Sequence, residues 1–264
     1  MGLERVERVL EYAEIKKESR QGRVTEKWPE LGEVVYEQVS LFHKNMKHCI
    51  LNNLNFTVRP QEKVAIVGRT GAGKSSLISS LFRLYETTGR ILIDGEDIKS
   101  LSLDFLRANI SITPQDPFLF TGTIRDNIDP LRIHTDEEIW SVIEIVRLKK
   151  IISNLDMKVS ENDSGFSGGQ KQLICLTRAL LGSNKIVVLD EITANLDAEA
   201  EAFVNDIIDK YFTKCTLLLV THKLHAINMV LEKEKIIEND NPLILLENKK
   251  SVFHKMAFTT GIKK

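Results

Sequence analysis

The run Lys63-Val-Ala-Ile-Val-Gly68, continued by Arg-Thr-Gly-Ala-Gly73-Lys74-Ser75, constrains this chain more than any other stretch. A short apolar run that ends in glycine suits a buried parallel strand. Helical pattern follows from Lys74 to Leu84, so GxxxxGK[ST] lies between a strand and a helix, the context the pattern requires. Glycines let the backbone wrap a phosphate, successive N–H groups point inward, and the following helix turns its positive dipole end toward the anion. Lys74 adds a charge for the β- and γ-phosphates, and Ser75 offers a hydroxyl to Mg²⁺. Gly68, Arg69, Thr70, Gly71, Ala72, Gly73, Lys74, Ser75 and Ser76 are therefore candidate ligands of a nucleoside triphosphate. The competing reading is a glycine-rich turn with a chance Lys-Ser.

A second apolar run, Ile186-Val-Val-Leu189, ends in Asp190-Glu191. Carboxylates at the C-terminal end of a buried strand sit at the crevice where open α/β sheets bind ligands. Asp190 can hold Mg²⁺, directly or through water, and Glu191 is placed to orient or deprotonate an attacking water. A strand that simply ends at a charged surface loop would look the same.

The flanking pattern predicts an α/β fold. Residues 34–41 alternate loosely and 50–58 more weakly, as in an antiparallel sheet, and a strand over 90–93 closes on an Asp94-Gly95 turn. Residues 136–155 read as helices, with Ile139, Val142, Ile143 and Val146 on one face. Strand 185–189, helix 198–211 and strand 216–220 complete a strand–helix alternation, which implies a parallel core. A small antiparallel β subdomain and a helical subdomain over about 115–180 accompany it. Leu3, Val6, Val9, Leu10, Ala13 and Ile15 lie close to helical spacing, and a polar stretch follows to Trp28-Pro29. Residues 1–30 are thus expected to form an amphipathic helix and linker outside a main domain of 31–264. A net charge of −1 gives no basic field for nucleic acid. No apolar run approaches bilayer-spanning length. Cys49, Cys175 and Cys215, odd in number and without CxxC, fit a reducing cytosolic setting and neither zinc nor a disulfide framework.

Between the two strands lies Phe166-Ser167-Gly168-Gly169-Gln170, opening a helix with Leu173, Ile174, Leu176 and Leu180 on its apolar positions. A Ser-Gly-Gly helix start is an anion site; equally, Ser167 is a good N-cap, which explains the serine and not the paired glycines. Gln115 stands in a proline-bracketed Thr-Pro-Gln-Asp-Pro. Asp197 has the look of an N-cap, with Glu199 and Glu201 complementing the helix dipole. His222 follows directly on the last strand. Phe-Ser-Gly-Gly-Gln ahead of Arg178-Ala179-Leu180 and the acidic strand end resembles the signature of the ATP-binding cassette family, and no Asn/Thr-Lys-x-Asp motif of a GTPase is present.

The resemblance covers nearly the whole chain. It is nearest to subfamily C, the multidrug-resistance-associated type, and within that to the C-terminal nucleotide-binding domain of the multidrug-resistance protein 4 group of organic-anion exporters. It implies that the chain binds ATP and Mg²⁺, with Ser75, Gln115 and Asp190 at the metal, and Glu191, Gln115 and His222 in catalysis. It also implies a head-to-tail pairing with a second nucleotide-binding domain. Ser167, Gly168 and Gly169 would there cover the partner's nucleotide, while Gln170, next in the signature, and Asp197, which matches the family's D-loop, are further nucleotide-site residues that the resemblance implies. Transmembrane domains, absent from this chain, would hold it at the cytoplasmic face of a membrane. His43, or Phe42 beside it, stands where the family stacks an aromatic ring on adenine. The sequence departs from the family in four places: His43 replaces the tyrosine that the family usually stacks on adenine, so binding with altered affinity is expected, the stretch 155–165 is shortened, an Asp-containing segment is missing between Asn228 and Met229, and Glu232-Lys-Glu-Lys lacks a turn glycine. The missing segment is expected to shorten or distort a strand near the C-terminus. A regulatory nucleotide sensor and a non-functional fragment are the alternative readings; a soluble repair or translation cassette would carry a second cassette or a coiled-coil insertion.

Overall fold

A computed structural model describes residues 18, 20–42, 49–160, 165–194, 196–221, 229–232, 235–240 and 242–259. In chain order these hold β1 (Val34–Phe42), β2 (Cys49–Val58), β3 (Lys63–Val67), α1 (Lys74–Leu81), β4 (Thr87–Ile93), β5 (Glu96–Asp97), α2 (Leu103–Ala108) and β6 (Ile110–Thr113). There follow β7 (Gly122–Thr123), α3 (Ile124–Ile128), α4 (Asp136–Ile145), β8 (Lys158–Val159), α5 (Gly168–Gly182), β9 (Ile186–Asp190) and α6 (Ala198–Tyr211). The last elements are β10 (Thr216–Val220), β11 (Met229–Glu232), β12 (Lys235–Asn239), α7 (Pro242–Glu247) and α8 (Val252–Thr259).

The central sheet has the order β12-β11-β3-β10-β9-β6, parallel throughout except for the edge pair β11–β12. Its strands are apolar on both faces because both are covered, as parallel sheets require. Period-two alternation divides the core cleanly. Val64, Ile66, Ile186, Val188, Leu218 and Val220 face α1 and the β subdomain. Val187, Leu189 and Leu217 face α5 and α6, while Ala65, Val67 and Val230 face α7 and α8. The C-terminal tips of β3, β9 and β10 lie side by side, so loops that follow them converge on one edge of the sheet.

The antiparallel sheet β2-β1-β4-β5 is the expected β subdomain. The loose alternation of β1 has a physical cause: Gln38 takes φ 51°, a bulge interrupts the register between Tyr36 and Val39, and the buried face resumes one residue late. The stretch 20–33 lies against this subdomain. Arg23 adds a single parallel bridge to Leu101, Trp28 is buried in the core with its indole N–H donating to the Ile93 carbonyl at 3.1 Å, and the Asp94 carboxylate gathers the amides of Glu30, Leu31, Gly32 and Glu33 at 2.7–2.9 Å. The end of the expected linker is thus fastened to the domain.

Three sequence-based boundaries move. α1 stops at Leu81 rather than Leu84, with Phe82 as its cap. β4 starts at Thr87, three residues before the expected strand. Only 136–145 of the expected 136–155 is helical: Arg147 adopts φ 58° and Leu148 N–H closes onto Ile143 O at 3.0 Å, a left-handed stop made without glycine. The expected helical face is intact, with Ile139, Val142, Ile143 and Val146 all buried. β11 is four residues long, meets β3 over two pairs and slips register against β12 between Val230 and Leu231, a short and irregular strand where one was expected. The helix expected over 3–17 lies outside the described residues.

Candidate functional site

Between β3 and α1 the chain makes a tight turn, closed by Ala72 N–H donating to Arg69 O at 3.0 Å. Gly73 caps α1 at φ 100°, a conformation other residues adopt only with strain. A Cβ on Gly68 would meet the Leu231 carbonyl oxygen at 2.3 Å, so this glycine is required by space. Arg69, Thr70, Gly71 and Ser75 are exposed, Ser76 is half-buried, and Ala72 is buried beneath the loop. Lys74 is the buried member: its Nζ donates to Gly68 O at 2.9 Å and Arg69 O at 3.4 Å, folding the ammonium back across the loop.

Glu191 turns directly off the end of β9, with φ 49° and its amide donating to Val220 O at 2.9 Å. This pins the turn to β10 and aims the carboxylate at the glycine loop. Its Oε1 lies 3.9 Å from Lys74 Nζ, and both side chains are largely shielded from solvent, at 10% and 7% exposure. Gln115 reaches the same carboxylate from the loop after β6, its Nε2 donating to Oε2 at 2.9 Å. That loop is anchored in turn by Gln172 of α5, which donates to Pro114 O at 3.3 Å. Asp190 is the last residue of β9, half-buried and paired in register with Val220. Lys74, Gln115 and Glu191 thus form one ammonium–carboxylate–amide cluster. Among the described residues, no three His, Cys, Asp or Glu side chains converge as a self-sufficient metal site.

Ser167 is an N-cap and completes a capping box: its hydroxyl accepts from Gln170 N at 3.3 Å, and Gln170 Oε1 accepts from Ser167 N at 2.9 Å. The two glycines behind it differ. A Cβ on Gly169 would come within 3.1 Å of Leu196 Cδ2, a close approach that joins this helix start to the loop after β9. A Cβ on Gly168 would meet nothing, so no internal packing explains why that position is bare. Asp197 is the N-cap of α6, accepting from Ala200 N at 2.8 Å, and is exposed.

Phe42 ends β1 opposite Cys49, about half exposed. The neighbouring start of β2 touches the glycine loop, since a Cβ on Gly73 would lie 3.0 Å from Ile50 O and 3.1 Å from Leu51 Cδ2. Phe42 is therefore one strand away from the loop. His43 and His222 lie outside the described residues. Sequence reasoning missed Asn127, fully buried between Ile124 and Ile128, whose side chain holds Phe120 N, Phe120 O and Thr123 O at 2.7–2.9 Å. Arg178 of α5 donates to the Asn127 carbonyl and, at 3.1 Å, to its Oδ1. Together they fix the segment after Gln115. An amide on the apolar face of a short helix was the available signal.

Comparison with known proteins bears on this arrangement. A family model described as ABC transporter matches residues 51–194. The human protein "ATP-binding cassette sub-family C member 4" is 43% identical over 268 residues, covering 97% of this chain and 20% of that protein. The "Vacuolar heme ABC transmembrane exporter abc3" of Schizosaccharomyces pombe is 43% identical over 271 residues, covering 97% of this chain and 18% of its own length. The chain therefore spans about a fifth of these curated relatives. Among solved structures, a bacterial Atm1-family ABC exporter with ATP bound superposes with a TM-score of 0.84 at 28% identity, over 100% of this chain and 48% of that one. Among the described residues no helix is long and apolar enough to cross a membrane.

Proposed function

The chain belongs to the ABC transporter family, and from that premise we propose that it is the ATP-binding and ATP-hydrolysing domain of an export transporter. The observation that carries this reading is the cluster of Lys74, Gln115 and Glu191 at the mouth of the glycine loop. The loop amides and the start of α1 supply partial positive charge to a triphosphate, and Lys74 supplies a full one. Glu191, held by Gln115 on one oxygen, accepts the proton of a water aimed at the terminal phosphoryl. Lys74 and the loop amides stabilise the charge that develops on the departing oxygens, the larger share of the work in phosphoryl transfer. Mg²⁺ held by Asp190 and Ser75, with Gln115 near, would neutralise charge between the two outer phosphates. His222 is assigned the terminal phosphoryl by position in the sequence, and His43 or Phe42 the adenine ring.

Half of the reaction belongs to a partner. The bare, exposed Gly168 at the start of α5 has no internal reason to lack a side chain. It supports a close approach by a ligand from outside, which in this reading is nucleotide bound to a second domain of the same kind, covered by Ser167, Gly168, Gly169 and Gln170. Closure around nucleotide and release after hydrolysis would then drive membrane-spanning domains between inward- and outward-facing states. By likeness to subfamily C, organic anions or xenobiotics are the proposed cargo and the cytoplasmic face of a membrane the proposed location.

Replacing Glu191 tests the role at the centre of this mechanism. In Glu191→Gln, ATP affinity stays within a few-fold of the parent, because the amide cradle and Lys74 are untouched. Turnover falls by roughly 10²–10⁴, the usual contribution of a positioned base. Hydrolysis at the parent rate would remove Glu191 from the mechanism.

A further inference from the structure

α4 ends in a complete Schellman turn. Arg147 N–H donates to Glu144 O at 3.0 Å and Leu148 N–H to Ile143 O at 3.0 Å, with Arg147 held between them at φ 58°. Glycine fills such a left-handed position without strain, whereas a residue with a Cβ is disfavoured there. The turn therefore gives no reason for an arginine. The side chain does: its Cζ lies 4.1 Å from the centroid of the Phe203 ring on α6. Among the described residues Arg147 makes no ion pair, so the ring face is what holds the guanidinium.

Phe203 is half-buried against the cluster that α4, α5 and α6 share through Val142, Ile143, Ile174, Leu176, Val204 and Ile207. Burial of this kind is non-directional, while a cation over a ring has a preferred geometry. Phe203 stands six residues into α6 from its cap, Asp197, or about 9 Å along the axis. Near the cap there is a second hold, since a Cβ on Gly169 would come within 3.1 Å of Leu196 Cδ2. Two points thus fix the direction of α6 against the α4–α5 pair. Gly168 at the start of α5 and Asp197 at the start of α6 are both exposed. We propose that Arg147 is a positioning residue: through Phe203 it sets the direction of α6, and with it the spacing of Gly168 and Asp197. This rests on the ATPase reading, which assigns both helix starts to nucleotide.

The test compares Arg147→Gly, which keeps the turn and removes the cation, with Phe203→Leu, which keeps apolar bulk and removes the ring. Each should lower kcat by roughly two- to fivefold, the worth of an exposed cation–π contact. KM for ATP should hold, because the glycine loop is untouched. The double variant should lose no more than either single one, and Phe203→Trp, which restores a ring face, should stay near the parent. Tm of Arg147→Gly should not fall, since relief of the left-handed residue offsets the lost stack. Hydrogen exchange without nucleotide should speed up over residues 198–208 in both single variants and remain unchanged in α1. Exchange decides the proposal even if the parent turns over no ATP, an outcome that would remove the ATPase reading alone. Unchanged exchange, additive losses in the double variant, or a fall in Tm that accounts for the lost turnover would overturn the proposal.

Discussion

Gly68 and Gly73 bracket the phosphate loop, and alanine at each fails for a different reason. At Gly73 the obstacle is conformation: φ is 100°, and the added Cβ lies 3.0 Å from Ile50 O and 3.1 Å from Leu51 Cδ2. Holding an L-residue there costs about 1–3 kcal/mol. The loop sits at the open edge of the sheet, so it relieves that strain by turning the amides of residues 73 and 74 away from the cradle. If the strain appears as lost binding, nucleotide affinity falls roughly five- to hundredfold. At Gly68 the obstacle is space. The Cβ would lie 2.3 Å from the Leu231 carbonyl, backbone that yields only if β11 moves. Overpacking of this kind costs about 1–3 kcal/mol, which for a domain of this size lowers Tm by about 2–4 °C per kcal/mol. Titration with a fluorescent ATP analogue, beside thermal melts, separates the two: Gly73→Ala loses affinity ahead of stability, and Gly68→Ala loses stability ahead of affinity. If Gly73→Ala binds within twofold of the parent with an unchanged Tm, left-handed backbone at that position is not what shapes the cradle.

Asp94→Ala should destabilise by about 2–4 kcal/mol, since it strips the acceptor from four amides of residues 30–33, two of them partly buried; denaturant melts read the loss, and ATP affinity of the folded fraction should not change. Burial pushes the Cys215 thiol up to about 11 and raises that of Cys175 as well, so iodoacetamide near pH 8 should label neither until denaturant is added; rapid native labelling of Cys215 would contradict its burial beneath α6. Hydrogen bonds from the Thr123 hydroxyl and amide, and then from Arg132, pull the Asp126 carboxyl from 3.8 down to about 2. The lowered folded value means its stabilisation is present above the unfolded pKa and lost as pH falls through the folded one. Melts from pH 5 to pH 2 should therefore flatten in Asp126→Asn relative to the parent.

Much of this molecule is written in short stretches of sequence. The run from Lys63 to Ser75 specifies strand, loop and helix within one stretch, because glycine spacing and apolar runs act through local backbone conformation and burial. The strands and helices near 186–190, 198–211 and 216–220 were equally legible, since their periods are strong and their caps, such as Asp197, are conventional. Where the signal was weak, geometry had replaced composition. Arg147 ends α4 in a left-handed conformation that no glycine announces, and Gln38 bulges a strand that otherwise alternates. Trp28 reads as the end of a linker until its indole is seen donating to Ile93 O. Tertiary structure alone decided that Lys74, Gln115 and Glu191 meet, because the first residue of α1 and the loops after β6 and β9 are brought together only by the parallel order of β3, β10, β9 and β6.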